Sequence, residues 1–180
     1  MLTVMEDGSA IEVGTVGNEG MVGIPILLGA DRIPGQAFMQ VPGSATRMTA
    51  EDFKRHVTPG TPLHNLLQRY LQALFNQVAQ SAACNRLHSL EERFCRWLLM
   101  TRDRVPTDEF PMTQEFLSLM LGVHRPSVSE VAGTFQRAGI IRYTRGKMLI
   151  VDRSGLEAAA CECYEVVKRE FDRLLGESRG

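Results

Sequence analysis

Long apolar runs are missing from this chain. No stretch of about 18 consecutive apolar residues occurs, which excludes a membrane-spanning helix of ordinary length. The amino terminus lacks a cationic start followed by a long apolar segment, so no secretion signal is expected and the cytoplasm is the default compartment. Cysteine is scarce: Cys84, Cys95, Cys161 and Cys163 form no C-x-x-C pair and have no histidine at finger spacing. Cys161 and Cys163 stand two apart on what reads as one helix, where they point in different directions. Reduced, partly buried thiols are therefore expected, with no metal and no cofactor. The histidines His56, His64, His88 and His124 share no ligand spacing, and neither a G-x-S-x-G elbow nor a phosphate loop is present. Glu91-Glu92 is a charged helix face. No catalytic residue is expected, and the chain does not read as an enzyme.

What is present suffices for real cores. The 180 residues are 44% hydrophobic and 23% charged, enough for one sizeable domain or two small ones. The formal net charge is only −1, but it is unevenly spread. Residues 1–85 hold five basic and seven acidic side chains, a net of −2, whereas residues 86–180 hold fifteen and fourteen, a net of +1. Between Met120 and Arg153 six Arg or Lys stand against Glu130 and Asp152, an excess of four positive charges.

That basic stretch belongs to one continuous device from Thr113 to Val151. Thr113 is placed to cap a short helix, with Glu115 in its first turn, where the helix dipole favours negative charge. Phe116 with Met120, and Leu117 with Leu121, repeat at four residues and make an apolar face. Gly122 is the natural left-handed stop. Arg125-Pro126 then opens a second helix, because proline is tolerated in the first turn. Val128, Val131, Ala132 and Phe135 form its buried stripe, which turns Pro126, Ser129, Glu130, Gly133, Thr134 and Arg137 outward, with Arg125 and Ser127 at the start. These side chains are small, polar or cationic, as suits a helix lying in a major groove about 12 Å wide. After Gly139, two strands surround a turn near Arg145-Gly146. There Arg142, Arg145 and Lys147 can reach phosphates flanking the groove.

A second helix signal begins at Thr61-Pro62, an N-cap followed by proline. Leu63, Leu66, Leu67, Tyr70, Leu71, Leu74, Val78 and Ala82 give it a wide apolar face, with Phe75 beside it and Arg69 as the one charge up to Asn85. So apolar a helix must be buried, either against a second copy or within a monomer. A boundary is expected near Asn85 to His88. Leu87 to about Arg102 then reads as a helix with Leu90, Phe94, Trp97 and Leu98 inward. Asp103 to Pro111 reads as a loop, and Asp152-Arg153-Ser154 caps a last helix carrying Leu156, Ala160, Cys163, Val167, Phe171 and Leu174. Near the amino terminus, Leu2 to Met5 and Ala10 to Val16 read as strands joined by Glu6-Asp7-Gly8-Ser9. Gln36 to Val41 and Ala45 to Met48 suggest further strands, and Thr49-Ala50-Glu51-Asp52 a capping box.

The run MTQEFLSLMLGVHRPSVSEVAGTFQRAGIIRYTRGKMLIVDRSGLE from Met112 resembles the Crp/Fnr family of bacterial transcription regulators, and the resemblance extends over most of the chain. It implies an α+β fold with a partial cyclic-nucleotide-binding-like β-roll over 1–60, a dimerisation helix and hinge over 61–86, and a winged helix-turn-helix with a carboxy-terminal helix over 87–180. It implies a homodimer on double-stranded DNA, with Leu63, Leu67, Tyr70, Leu74 and Val78 facing the mate, and a surface for RNA polymerase if the protein activates. The family's recognition helix begins with an arginine, matched by Arg125. The usual glutamate after it is Pro126 here, and a later guanine-reading arginine falls at Glu130, so the operator does not carry over. Arg125 is the candidate for bidentate contact to guanine, Glu130 can accept from cytosine N4, and Ser127 and Ser129 suit either a base or a phosphate.

The early residues depart from the family's cAMP-binding members. Those grip ribose through the carboxylate of a Gly-Glu-x-Gly segment and the cyclic phosphate through an Arg-Ser pair. This chain has Gly20-Met21-Val22-Gly23 and Gly35-Gln36-Ala37, so cAMP is not expected, Arg32 being the nearest substitute cation. The sequence points to no particular effector. The amino-terminal cysteine cluster of iron–sulfur members is also missing. Several roll strands that the family carries ahead of Met1 are not in this sequence, so a shortened form or an edge covered by a partner is expected. The alternative reading is a ligand-sensing or partner-binding module of the same fold that no longer binds DNA.

Overall fold

The computed structural model describes residues 1–33 and 35–176. Asp7-Gly8 closes the amino-terminal hairpin as its sequence predicts. Strand β1 (Leu2–Val4) pairs antiparallel with β2 (Ala10–Glu12), Thr3 lies opposite Ile11, and Gly8 takes a φ of 82°, which glycine adopts without steric cost. The strands expected at Gln36 to Val41 and Ala45 to Met48 do not form. Gln36 makes a single bridge to Leu2, and the backbone after it runs without a ladder. A strand needs a partner edge. β1 is three residues long; β2 takes one of its edges, and on the other Gln36 exchanges backbone hydrogen bonds of 2.8 and 3.0 Å with Leu2 alone before the chain leaves that edge. Among the described residues, the expected partial roll reduces to a hairpin, a 3-10 turn at Ile24–Leu28, one short helix and irregular chain laid on the later helices.

Helix α1 (Ala50–His56) is capped by Thr49, whose Oγ1 accepts from the Asp52 N–H at 3.1 Å. Helix α2 (Pro62–Leu87) starts at the predicted cap, Thr61 Oγ1 accepting from the His64 N–H at 3.3 Å. Its buried positions Leu67, Tyr70, Leu74, Gln77, Ser81 and Cys84 recur at alternating steps of three and four, the spacing of a helix–helix seam. The carboxy-terminal helix Cys163–Leu175 fills that seam in the antiparallel sense. The Tyr70 and Phe171 rings meet at 6.4 Å, Asn76 Nδ2 donates to Glu170 Oε2 at 2.8 Å, and Gln80 Nε2 donates to Cys163 Sγ at 3.0 Å. Leu67, Tyr70 and Leu74, expected to face a mate, are thus buried inside the chain itself. Leu63 is exposed and Val78 half-buried. The other side of α2 stays apolar and open, with Phe75 exposed and Leu71 and Val78 half-buried.

The break between α2 and α3 (Leu90–Arg102) falls at His88-Ser89, where Ser89 and Glu92 form a reciprocal capping box. Phe94 and Leu98 are fully buried as expected, and the Phe94 ring stacks on Phe135 with centroids 5.8 Å apart. The segment read as a loop before Met112 contains a strand, β3 (Glu109–Pro111). It pairs with β5 (Lys147–Ile150), which also pairs with β4 (Ile141–Thr144), in the order β3-β5-β4. Phe110 lies opposite Met148, both buried. Pro111 sits on the edge strand, where its missing N–H breaks no interior ladder. Helices α4 (Gln114–Leu121) and α5 (Arg125–Arg137) lie between β3 and β4.

After the hairpin the chain forms two helices rather than one. Asp152 Oδ1 caps α6 (Arg153–Ala159) by accepting from the Gly155 N–H at 3.0 Å, and the chain breaks at Ala160 to Glu162 before α7 (Cys163–Leu175). Asp103 at the end of α3 holds both pieces, pairing with Arg153 at 2.9 Å and accepting from the Tyr164 hydroxyl at 2.8 Å. The break also changes the geometry of the cysteines. Cys161 and Cys163, expected to diverge on one helix, are both buried beside Cys84 and His88.

Candidate nucleic-acid interface

Thr113 caps α4 by accepting from the Phe116 N–H at 3.1 Å, and Gly122 stops it with a φ of 64°. Val128, Val131, Ala132 and Phe135 are the buried residues of α5, as their spacing predicts. The opposite side is therefore outward. Arg125, Pro126, Glu130, Thr134 and Arg137 are exposed; Ser127, Ser129 and Gly133 are half-buried. His124 precedes α5 without a side-chain cap, which leaves first-turn N–H groups without a side-chain acceptor, at the end where the helix dipole favours an anion.

Three polar contacts fix how α5 sits. Ser129 Oγ donates to Gln114 Oε1 at 2.6 Å, tying α5 to the start of α4, so this hydroxyl is engaged within the protein rather than free for base or phosphate. The Gln114 N–H donates to the Tyr143 hydroxyl at 3.1 Å, and Gln136 Oε1 accepts from the Tyr143 N–H at 2.7 Å. Sequence reasoning missed Gln114 and Gln136, because a helix glutamine bonded to a neighbouring element leaves no periodic signal.

Between β4 and β5, Arg145 and Gly146 both have left-handed backbones, with φ of 50° and 78°, which match the tight twist of a two-residue hairpin. Arg145 adopts this conformation without being glycine, and it carries its guanidinium at the tip. Arg142, Arg145 and Lys147 surround a shallow depression shared with Glu109, Thr144 and Leu149. Lys147 Nζ lies 3.1 Å from Glu109 Oε1. That exposed pair is worth at most about 1 kcal/mol, so an incoming phosphate can displace the carboxylate.

The loops at Gly20 and Gly35 are used in packing. A Cβ on Gly20 would come within 2.3 Å of the Tyr70 ring, and one on Gly35 within 2.8 Å of the Leu2 carbonyl oxygen. Glu19 pairs with Arg104 at 2.9 Å beside them. Burial, and then the charge of Glu19, push the Tyr70 hydroxyl above the ordinary tyrosine range. Arg32, the nearest substitute cation, is exposed.

The family model of the Crp-like helix-turn-helix domain matches residues 92–159, which span α3 through α6. Solved structures share the fold of nearly the whole chain. A CRP-family transcriptional regulator from Thermus thermophilus superposes with a TM-score of 0.67 at 20% identity, over 88% of this chain and 81% of that one. A second regulator of the CRP/FNR family from the same organism gives 0.64 at 20% identity over the same shares, 88% and 81%. FixK2 from Bradyrhizobium japonicum gives 0.64 at 12% identity, over 89% and 81%. No curated protein matches the chain. Among the described residues no helix is long and apolar enough to cross a membrane.

Proposed function

We propose that this chain regulates transcription by binding duplex DNA as a homodimer, with α5 in the major groove and the cations of the β4–β5 wing on the flanking phosphates. The observation that carries the reading is the outer side of α5, polar and exposed from Arg125 to Arg137, next to a hairpin tip that gathers Arg142, Arg145 and Lys147. Arg125 reads a base edge, and Glu130 and Thr134 line the groove behind it. Ser129 positions the helix, while Ser127, Pro126 and Arg137 lie along the phosphates. In this reading 87–180 is the DNA-binding unit, 61–86 joins two copies, and 1–60 is the sensor-like segment, acting in the cytoplasm where its DNA target lies.

Selection of bound sequences from random duplexes tests the proposal. A twofold-symmetric site with half-sites about 34 Å apart is expected. No enrichment, or an asymmetric site bound by one copy, overturns it. Each of Arg142→Ala and Arg145→Ala should lower the logarithmic salt slope of binding by about one. Arg125→Ala should cost about 1–3 kcal/mol at a single base position, and an equal loss on every sequence would reduce it to a phosphate contact.

The joining face we assign to the open side of α2, where Leu71, Phe75, Val78 and Ala82 again step by four and three. Phe75→Glu should leave stability within about 0.5 kcal/mol and shift the sedimenting mass to that of one chain. An unchanged mass places the interface elsewhere.

A further inference from the structure

Four side chains from two distant breaks in the chain converge below the α2–α3 junction. Cys84 lies in the last turn of α2 and His88 one turn later, at its C-cap, so both share one face. Cys161 and Cys163 flank Glu162 in the break between α6 and α7. The donor atoms, three Sγ and one imidazole nitrogen, all lie within 4.8 Å of one another. Cys84 Sγ is 3.5 Å from Cys161 Sγ, and Cys163 Sγ is 3.5 Å from His88 Nδ1. A tetrahedral ion with metal–sulfur bonds of about 2.3 Å and metal–nitrogen bonds of about 2.0 Å has ligand-to-ligand edges of about 3.5–3.8 Å. The three thiols form a buried cluster apart from the main core.

We propose that Cys84, His88, Cys161 and Cys163 are the four ligands of a structural zinc ion that clamps the carboxyl end of α2 to the α6–α7 junction. The surroundings are those a metal site needs. His88 turns Nδ1 to the thiols, while its Nε2 lies 3.2 Å from Glu162 Oε2, the carboxylate–histidine–metal relay that fixes tautomer and ring orientation. Gln80 Nε2 donates to Cys163 Sγ at 3.0 Å. Three thiolates and one divalent ion leave a net charge of −1. Arg93 and Arg96 stand close enough to Cys84 for their charges to act on it, and each keeps a buried Nε–H without a partner. On binding, the three thiols release their protons to solvent, and His88 ligates as neutral imidazole. Thiolate and imidazole donors select a thiophilic ion over magnesium or calcium. Four donors this close suit one ion, whereas an iron–sulfur cluster spreads its ligands around several irons.

The test reads metal, so it stands or falls apart from the DNA-binding proposal. The full-length protein is stripped with chelator and reductant, then titrated without oxygen, first with Co2+ and then with Zn2+. Expected are one Co2+ per chain, the intense visible bands of a tetrahedral ion, and near-ultraviolet thiolate charge transfer, all abolished by one equivalent of Zn2+. Cys163→Ser and Cys84→Ser should each lower the charge-transfer intensity by about one third, as three thiolates become two. Cys95→Ala, buried but outside the cluster, should keep the full spectrum. Native mass spectrometry of the unaltered protein needs no variant and should find one zinc per chain. A weak octahedral cobalt spectrum on folded protein, no retained zinc, or a Cys84–Cys161 disulfide in protein purified under reducing conditions overturns the proposal.

Discussion

Between Leu90 and Ala159 almost every large apolar side chain is inside. Phe94, Leu98, Leu99, Leu117, Val128, Met148 and Leu156 are fully buried, and Leu119 and Val151 are the large hydrophobics left exposed. In the first sixty residues the proportion reverses: Leu2, Ile24, Phe53 and Val57 are buried, while Val4, Met5, Val22, Leu28, Ile33, Phe38, Met39 and Met48 are exposed. The later region builds a core from its own amphipathic helices and three-stranded sheet. The earlier one borrows a core. Its hairpin leans on α4, Trp97 Nε1 donates to Glu12 Oε2 at 3.2 Å, and Phe38 meets Phe116 edge to face at 5.6 Å. A region that relies on another for burial should open first.

The largest effect that tests this contrast is a matched pair of truncations. Leu98→Ala should cost about 2–5 kcal/mol in chemical denaturation, because the cavity it leaves is enclosed. Phe38→Ala, whose ring is 43% exposed, should cost about 1 kcal/mol, the scale of one edge-to-face contact. Equal losses would remove the distinction. Next comes the contact between the regions. Gly122→Ala introduces a side chain at a φ of 64° and a Cβ 2.8 Å from Ile11 Cδ1, so a loss of about 1 kcal/mol is expected. Ile11→Ala should recover part of that loss, and no recovery would show the cost to be conformational alone. The smallest effect lies at the border, where Ser89 begins the self-sufficient region. The Ser89 hydroxyl, and then its backbone N–H, hold the Glu92 carboxyl below the usual carboxylate range. The stability this contributes is complete above the unfolded carboxylate pKa and fades as pH falls through the lower folded value. An NMR titration should find a depressed Glu92 midpoint that rises towards normal in Ser89→Ala.

The same contrast explains what could be read from the residues alone. The helix-turn-helix was legible because Val128, Val131, Ala132 and Phe135 report a helical period, and Thr113, Gly122 and Pro126 punctuate it. Strand β3 was not, since three residues ending in proline carry no alternation to count. The strands expected after Gln36 had alternation but met only the short outer edge of β1, at one residue, and pairing is a property of the partner. The seam of α2 was read as facing a second copy because periodicity shows that a face is buried without naming what buries it. The cysteine and histidine cluster escaped for a related reason. The break at Ala160 to Glu162 carries no glycine or proline, so the apolar pattern ran straight through it, and the four ligands meet only after α2 and α7 have packed.

Ile11 occupies the space that a side chain on Gly122 would fill, at the elbow joining α4 to α5. The amino-terminal hairpin therefore acts as a thumb against the joint of the helix-turn-helix. Any rotation of α5 relative to α4 must either carry Ile11 along or unseat it. Coupling of this kind is reciprocal: whatever steadies the hairpin stiffens the elbow, and any ligand that holds the elbow in one pose, as DNA would under the proposed function, steadies the hairpin by the same free energy.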